Sequence, residues 1–377
     1  MGLKSLVLCS DDKIVRVLRR VLGDLEIEAD LAPASDLALR KLTRQRFEAI
    51  IVDSSEAGAA DVLRSARTAP CNKHAVAIAL ADPSVALRSV FDSGAHFVLY
   101  KPVMMERAKS TFRAARALMK SERRRNVRVP VQIPVTIHTS GKREMWVKTV
   151  DLSEGGMAVA MSGRHRPSGT WQIQFTLPGM DAPIALQAEF AWEGSKEQAG
   201  LRFLQVPPDT TLKLREWLKQ NSPDAEPDDP PIRCQLTDLS LGGCYLEVSS
   251  PFPARSRVSV LMRAGEVEAR VQGVVRIMHP DSGMGVEFMQ STAEHRAAIE
   301  SFLSTLTANA ALQPELLVQP EGLEPHSQPG QLPAEMQDDP LLQLFYRESL
   351  APEIFHEELR KQRCIPSGAS QAAAGRA

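Results

Sequence analysis

One motif occurs twice in this chain, and that repeat constrains its fold more than any other feature. Val150-Asp151-Leu152-Ser153-Glu154-Gly155-Gly156-Met157 returns as Thr237-Asp238-Leu239-Ser240-Leu241-Gly242-Gly243-Cys244, and Gly200-Leu201-Arg202-Phe203 returns as Gly285-Val286-Glu287-Phe288. From Gly156 to Gly200 is 44 residues, and from Gly243 to Gly285 is 42. Shared motifs in one order at nearly one spacing predict two copies of one chain path. In the first copy Val129, Val131, Ile133, Val135 and Ile137 alternate with Pro130, Gln132, Pro134, Thr136 and His138. Such strands bury one face and wet the other. Further alternating runs at 145–150, 157–161, 171–177, 184–192 and 201–204, joined by turns at Thr139-Ser140-Gly141 and Ser162-Gly163, predict a small antiparallel barrel. Leu212, Leu214, Trp217 and Leu218 form a helical stripe behind it, and a helix over about 292–306 ends the second copy.

Residues 1–120 have a different texture. Buried runs at 5–9, 49–53, 75–80 and 97–100 alternate with helical patterns, the first through Ile14, Val17, Leu18 and Leu22 and the last over 104–120. Apolar strands alternating with helices predict a parallel, doubly wound α/β sheet, whose chemistry collects at the carboxyl ends of the strands. Asp11, Asp53 and Lys101 fall there. The arrangement resembles the receiver domain of response regulators, which implies a phosphoacceptor at Asp53, a Mg2+-holding acid at Asp11 and a phosphoryl-stabilising Lys101. Ser10 stands where the pattern has another acid, and Ala81, Val98 and Ala57 replace the hydroxyl switch, the aromatic switch and a proline. With both switch positions lost, the expectation is a pseudo-receiver that serves docking or homodimerisation, with Mg2+ relevant only if the site is competent.

Lys and Arg (45) nearly cancel Asp and Glu (46) over 377 residues, so charge matters by position and not by sum. The N-terminal apolar run is too short for a secretion signal, and no stretch reaches the length of a membrane span. Five cysteines without CxxC or Cys/His spacing read as reduced, buried side chains of a cytoplasmic protein.

The positive charge gathers at Glu122-Arg123-Arg124-Arg125-Asn126-Val127-Arg128. Arg-x-x-x-Arg followed by Asp-x-Ser-x-x-Gly resembles the signature of the PilZ family of cyclic di-GMP receptors, which implies a six-stranded barrel with a C-terminal helix over 121–222. An arginine fork suits both guanine edges and phosphates. The resemblance places Arg124 and Arg128 on those groups with Arg125 in support, Asp151 on the guanine N–H groups, Ser153 as a hydroxyl contact, and Gly156 as the residue that lets the backbone approach the ligand. The second copy, 229–306, lacks the arginine half: only Arg233 precedes Asp238, and the acidic, proline-rich linker 221–231 stands in its place. It reads as a degenerate PilZ-like barrel that packs on the first barrel or carries another protein.

Residues 307–377 read as a mostly disordered tail from their Pro, Gln, Glu and small-residue content, with amphipathic helices over 340–363, broken at Pro352, that form either nascent helix or a docking peptide. No nucleophile–base–acid set, metal cluster or phosphate loop stands out, so the expected function is a non-enzymatic cyclic di-GMP receptor or adaptor. In it, ligand binding at the arginine junction changes the domain arrangement and passes this to a protein partner. The alternatives are a ligand-free scaffold and a phosphorylation-driven response regulator. Nucleic acid is disfavoured, because the basic patch is short and lacks interleaved aromatics.

Overall fold

The computed structural model describes residues 2–69, 71–138, 144–161, 169–194, 197–204, 206–222, 228–289, 293–309, 312–324, 353–355 and 357–358. Two compact units divide them: Ser121–Asp228, and Gly2–Lys120 together with the residues from Asp229 onward.

The chain begins β1 (Leu3–Leu8), α1 (Asp12–Asp24), β2 (Ile27–Ala32), α2 (Ser35–Arg44), β3 (Ala49–Asp53), α3 (Ala59–Thr68), β4 (Val76–Ala81), α4 (Leu87–Asp92), β5 (Phe97–Tyr100) and α5 (Met105–Arg125). The strands pair in parallel in the order β2-β1-β3-β4-β5, the doubly wound pattern that the alternating runs predict. Period-two alternation sends Val7, Ile51 and Ile78 to the face covered by Leu18 and Phe112, and Leu6, Leu8, Ile50 and Val52 to the face covered by Leu42 and Val62. Both faces are therefore apolar, which is why these strands read as continuous hydrophobic runs.

The next unit contains β6 (Val129–Pro130), β7 (Pro134–His138), β8 (Glu144–Ser153), β9 (Gly156–Ala160), β10 (Thr170–Phe175), β11 (Ile184–Glu193), β12 (Gln198–Leu204) and α6 (Pro208–Asn221). Antiparallel pairing runs β8-β7-β10-β11-β12-β9 and closes through β8–β9, with the short β6 lying on β8. Val135, Ile137, Ile173, Phe175, Leu186 and Ala188 fill the interior, and Leu214, Trp217 and Leu218 of α6 join that core. The Trp217 indole donates to Pro178 O at 3.0 Å, so its one polar atom is satisfied.

The second barrel follows: β13 (Ile232–Leu239), β14 (Gly243–Glu247), β15 (Ser256–Ala264), β16 (Val267–His279), β17 (Gly283–Phe288), α7 (Ala293–Ala308) and β18 (Glu315–Leu323), closed in the order β13-β14-β17-β16-β15-β18. Here two expectations are corrected. The barrel does not end at 306, and 307–337 is not wholly structureless: β18 takes the place that β7 holds in the first barrel, antiparallel to β13 and β15. Leu316, Val318 and Leu323 point inward from it and are buried. The strand that opens the first barrel thus comes last in the second, a permuted order. This barrel shares its compact unit with the receiver-like domain, where Arg116 and Lys120 of α5 each reach Asp229 at 2.8 Å and the Ser250 hydroxyl donates to Ser110 Oγ at 2.8 Å. Within that unit the second barrel packs on the receiver-like domain.

Cys9, Cys234 and Cys244 are buried free thiols and Cys71 is exposed; Cys364 lies outside the described residues. Among the described residues no helix is long and apolar enough to cross a membrane. The helices expected over 340–363 lie outside the described residues except at 353–355 and 357–358.

Candidate functional site

The first barrel assembles half of the expected site around β6. Pairing of Val129 with Leu152 and Pro130 with Asp151 brings the chain just after α5 alongside the motif strand. Arg128 Nη1 then lies 2.8 Å from Asp151 Oδ1, and the same oxygen accepts from Ala158 N at 3.3 Å. Both side chains reach solvent, Arg128 at 44% and Asp151 at 25% exposure. Ser153 is close by but turned inward: its hydroxyl donates to Gly156 O at 2.9 Å and closes the β8–β9 turn.

Arg124 and Arg125 point elsewhere. They sit in the last turn of α5, where Arg124 pairs with Asp228, a carboxylate that also takes Lys219 at 3.2 Å. Arg125 lies 2.9 Å from Glu122 and 3.9 Å from Glu154, which Arg215 holds at 2.9 Å. Each of the three arginines therefore meets an acid of the protein itself.

At Gly156 a Cβ would fall 2.2 Å from Leu201 O across the β9–β12 pair, so the neighbouring strand by itself requires glycine there. Gly243 repeats this, with Val286 O at 2.3 Å. In the second barrel the Ser240 hydroxyl likewise donates to Gly243 O at 3.1 Å, so the same hydrogen bond closes the Ser-x-x-Gly turn in both copies.

The sequence reading missed Trp192. Leu186, Ala188 and Phe190 set an inward parity that Trp192 continues, but a bulge between Phe190 and Trp192 turns the indole outward over Gly200. A Cβ on Gly200 would lie 2.1 Å from the indole Nε1. Register places Asp151 opposite Ala158, Ala158 opposite Gly200, and Gly200 opposite Trp192. One row across the outer face therefore runs from the Arg128–Asp151 pair, past two small residues, to an indole that is 39% exposed.

In the receiver-like domain Asp53 and Lys101 meet as expected: Lys101 Nζ lies 2.6 Å from Asp53 Oδ1, which also accepts from Ser55 N at 3.0 Å and from Ser55 Oγ at 2.7 Å. Burial pushes the Asp53 carboxyl up, but the hydrogen bonds from Lys101 and Ser55 outweigh this and hold it below the ordinary value. Asp11 does not join them. It N-caps α1, accepting from Lys13 N at 2.7 Å and Ile14 N at 3.3 Å, the role for which a short carboxylate is favoured at a helix start. Cys9 and Glu56 stand beside Asp53 instead, with one ligand atom from each of the three within 4.8 Å of the others. Burial pushes the Cys9 thiol up to about 11, Asp53 and Glu56 adding to the rise, and Glu56 is taken by Ser10 N at 2.6 Å. A protonated thiol and a lysine-bound carboxylate are a poor donor set for Mg2+, which prefers free oxygen ligands.

A family profile described as the PilZ domain matches residues 122–220 and 222–305, the second match ending inside α7 and before β18. No curated protein matches the chain. Among solved structures, the PilZ domain of CeSA from a cellulose-synthesizing bacterium aligns at 24% identity and TM-score 0.22 over 25% of this chain and 95% of its own. A CheY-like receiver domain protein from Methanospirillum hungatei aligns at 17% identity and TM-score 0.29 over 33% and 98%. The chemotaxis response regulator CheY4 of Vibrio cholerae aligns at 21% and 0.29 over 30% and 99%. Behind a receiver-like α/β domain, this chain carries two domains of the PilZ family.

Proposed function

We propose that the first barrel binds cyclic di-GMP and that the protein is a signalling receptor or adaptor, not an enzyme, that passes the bound state to a protein partner. The observation that carries this reading is the half-exposed Arg128–Asp151 pair at one end of a row that ends in Trp192. Guanidinium and carboxylate are complementary to a guanine with its phosphate, and an indole offers a stacking surface for a base. In this reading Arg128 and Asp151 are the principal contacts, Arg124 and Arg125 join when the ligand's phosphates compete for them, and Ser153 and Gly156 hold the turn that carries Asp151. Because α5 runs unbroken from Met105 to Arg125, contacts made at its last turn are relayed towards the receiver-like domain by one helix. Each charge-assisted hydrogen bond contributes about 1.5–3 kcal/mol, enough for a few of them to bias a hinge. Small-angle scattering checks this: the profile changes at saturating ligand, and an unchanged one removes the hinge.

Titration calorimetry with cyclic di-GMP tests the receptor itself. Saturable heat is expected, and Asp228→Asn binds about two- to fivefold more tightly, because a partly exposed ion pair worth roughly 0.5–1 kcal/mol no longer competes for Arg124. A ligand-free scaffold is the second reading, favoured by the pairing of Arg124, Arg125 and Arg128 with the protein's own acids. Folded protein that gives no heat, with or without Asp228, establishes the scaffold.

The receiver-like domain acts in this reading without phosphorylation. Acetyl phosphate with Mg2+ leaves the intact mass unchanged, since Asp11 caps a helix and Asp53 has a protonated thiol, Cys9, and the backbone-bound Glu56 beside it. A hydroxylamine-labile adduct absent from Asp53→Ala would restore the phosphorylated response regulator.

A further inference from the structure

The two barrels can be compared residue by residue through their registers. Asp151–Ala158–Gly200–Trp192 on the first becomes Asp238–Tyr245–Gly285–Ile277 on the second, with bulges at the matching places. These positions face outward, because their neighbours Cys244, Leu246, Met284 and Val286 point into the core. Yet Tyr245 and Ile277 are buried, at 4% and 3% exposure. A phenol ring also replaces the methyl group of Ala158. Tyr245 lies over Gly283, where a Cβ would sit 2.8 Å from its ring, and its hydroxyl is hydrogen-bonded to His279 Nδ1 at 2.8 Å.

What covers this face is a piece of the tail. The Phe355 ring stands 6.1 Å from Tyr245 and 5.6 Å from His279 by centroid, and is 4% exposed. Burial pushes the Tyr245 phenol up, and the carboxylates of Glu247 and of Glu353, in the same segment as Phe355, add to the rise. Ile354 faces away at 51% exposure, so the segment inserts one aromatic side chain. The 29 residues between β18 and Glu353 are ample to reach the site from within one chain.

We propose that the second barrel is a peptide-reading module: Tyr245 fills the face that stays unfilled by an aromatic at Ala158, and with His279 it forms an aromatic socket for Phe355 of the chain's own acidic tail. The socket's ligand class is a short helical segment presenting one phenylalanine beside glutamates, and the occupant is the tail in cis. This rests on the barrel comparison and is independent of nucleotide binding by the first barrel.

The full-length protein and its Phe355→Ala variant decide the matter with a fluorescein-labelled synthetic peptide of residues 346–363. The variant, its socket vacated, binds the peptide at least about tenfold more tightly than the wild type, whose tethered tail competes at an effective concentration of about 1 mM. In the wild type, hydrogen exchange at 353–358 is protected, and Phe355→Ala removes protection there while leaving 243–247 unchanged. Equal binding by the two proteins, no binding by either, or an unprotected wild-type segment would overturn the proposal. A wild-type dimer by light scattering that Phe355→Ala converts to monomer would replace the cis tail with a partner's, and so would also overturn it.

Discussion

Arg128→Ala is expected to weaken cyclic di-GMP binding by about 100-fold while leaving the first barrel folded. The binding loss follows from removing one bidentate, charge-assisted contact of about 3 kcal/mol, or two factors of ten. The folding cost is small for a separate reason. Arg128 is 44% exposed and its partner Asp151 keeps the hydrogen bond from Ala158 N, so the pair is a surface ion pair worth about 0–1 kcal/mol. Calorimetry beside a thermal melt separates the two effects. Arg128→Lys should recover part of the affinity, since it restores the charge without the planar fork. An Arg128→Ala protein that melts normally and binds as tightly as the wild type would remove Arg128 from the site, and with it the reading of the outer face.

The residues that were legible in the sequence are those whose role is set by periodicity. Ala49–Asp53 is a buried parallel strand because both of its faces are apolar, Val135 and Ile137 point inward because they alternate, and Leu214, Trp217 and Leu218 share a helical stripe. The duplicated motif carried the second barrel. What was hidden depends on a single offset or on a partner far along the chain. β1 stops at Leu8, so Cys9 and Ser10 occupy the strand end and Asp11 falls one step late, onto the helix cap. A bulge, invisible to alternation, turns Trp192 outward. β18 is nine residues long within a stretch whose Pro and Gln content conceals Leu316 and Val318 from any averaged composition. Asp228 reads as linker acid until the fold brings it to Arg124. The same limit applies to Phe355, whose amphipathic surroundings announce a docking segment without naming the surface it meets.

The glycines of the repeated motif allow the sharpest separation of folding from binding. Gly156→Ala is expected to destabilise the first barrel by about 3 kcal/mol or more, since the new methyl must lie against a backbone carbonyl of β12 that no rotamer can move. For a barrel of this size that lowers its melting temperature by more than about 10 °C. Gly243→Ala should do the same to the second barrel, where the carbonyl is that of Val286. Each motif contains its own control: a methyl added at Gly155 or Gly242 would meet nothing within 4 Å, so alanine there should leave the melt almost unchanged. Hydrogen exchange resolves which barrel opens. The first barrel is a compact unit by itself, so Gly156→Ala should deprotect 156–160 and 198–204 while 243–247 stays protected. If Gly156→Ala instead kept full stability and lost only nucleotide binding, the glycine would belong to the ligand face, and the shared close approach in the two barrels would be a coincidence of geometry. The strand spacing argues otherwise, because the same 2.2–2.3 Å clash recurs in a barrel that has no arginine half to its motif.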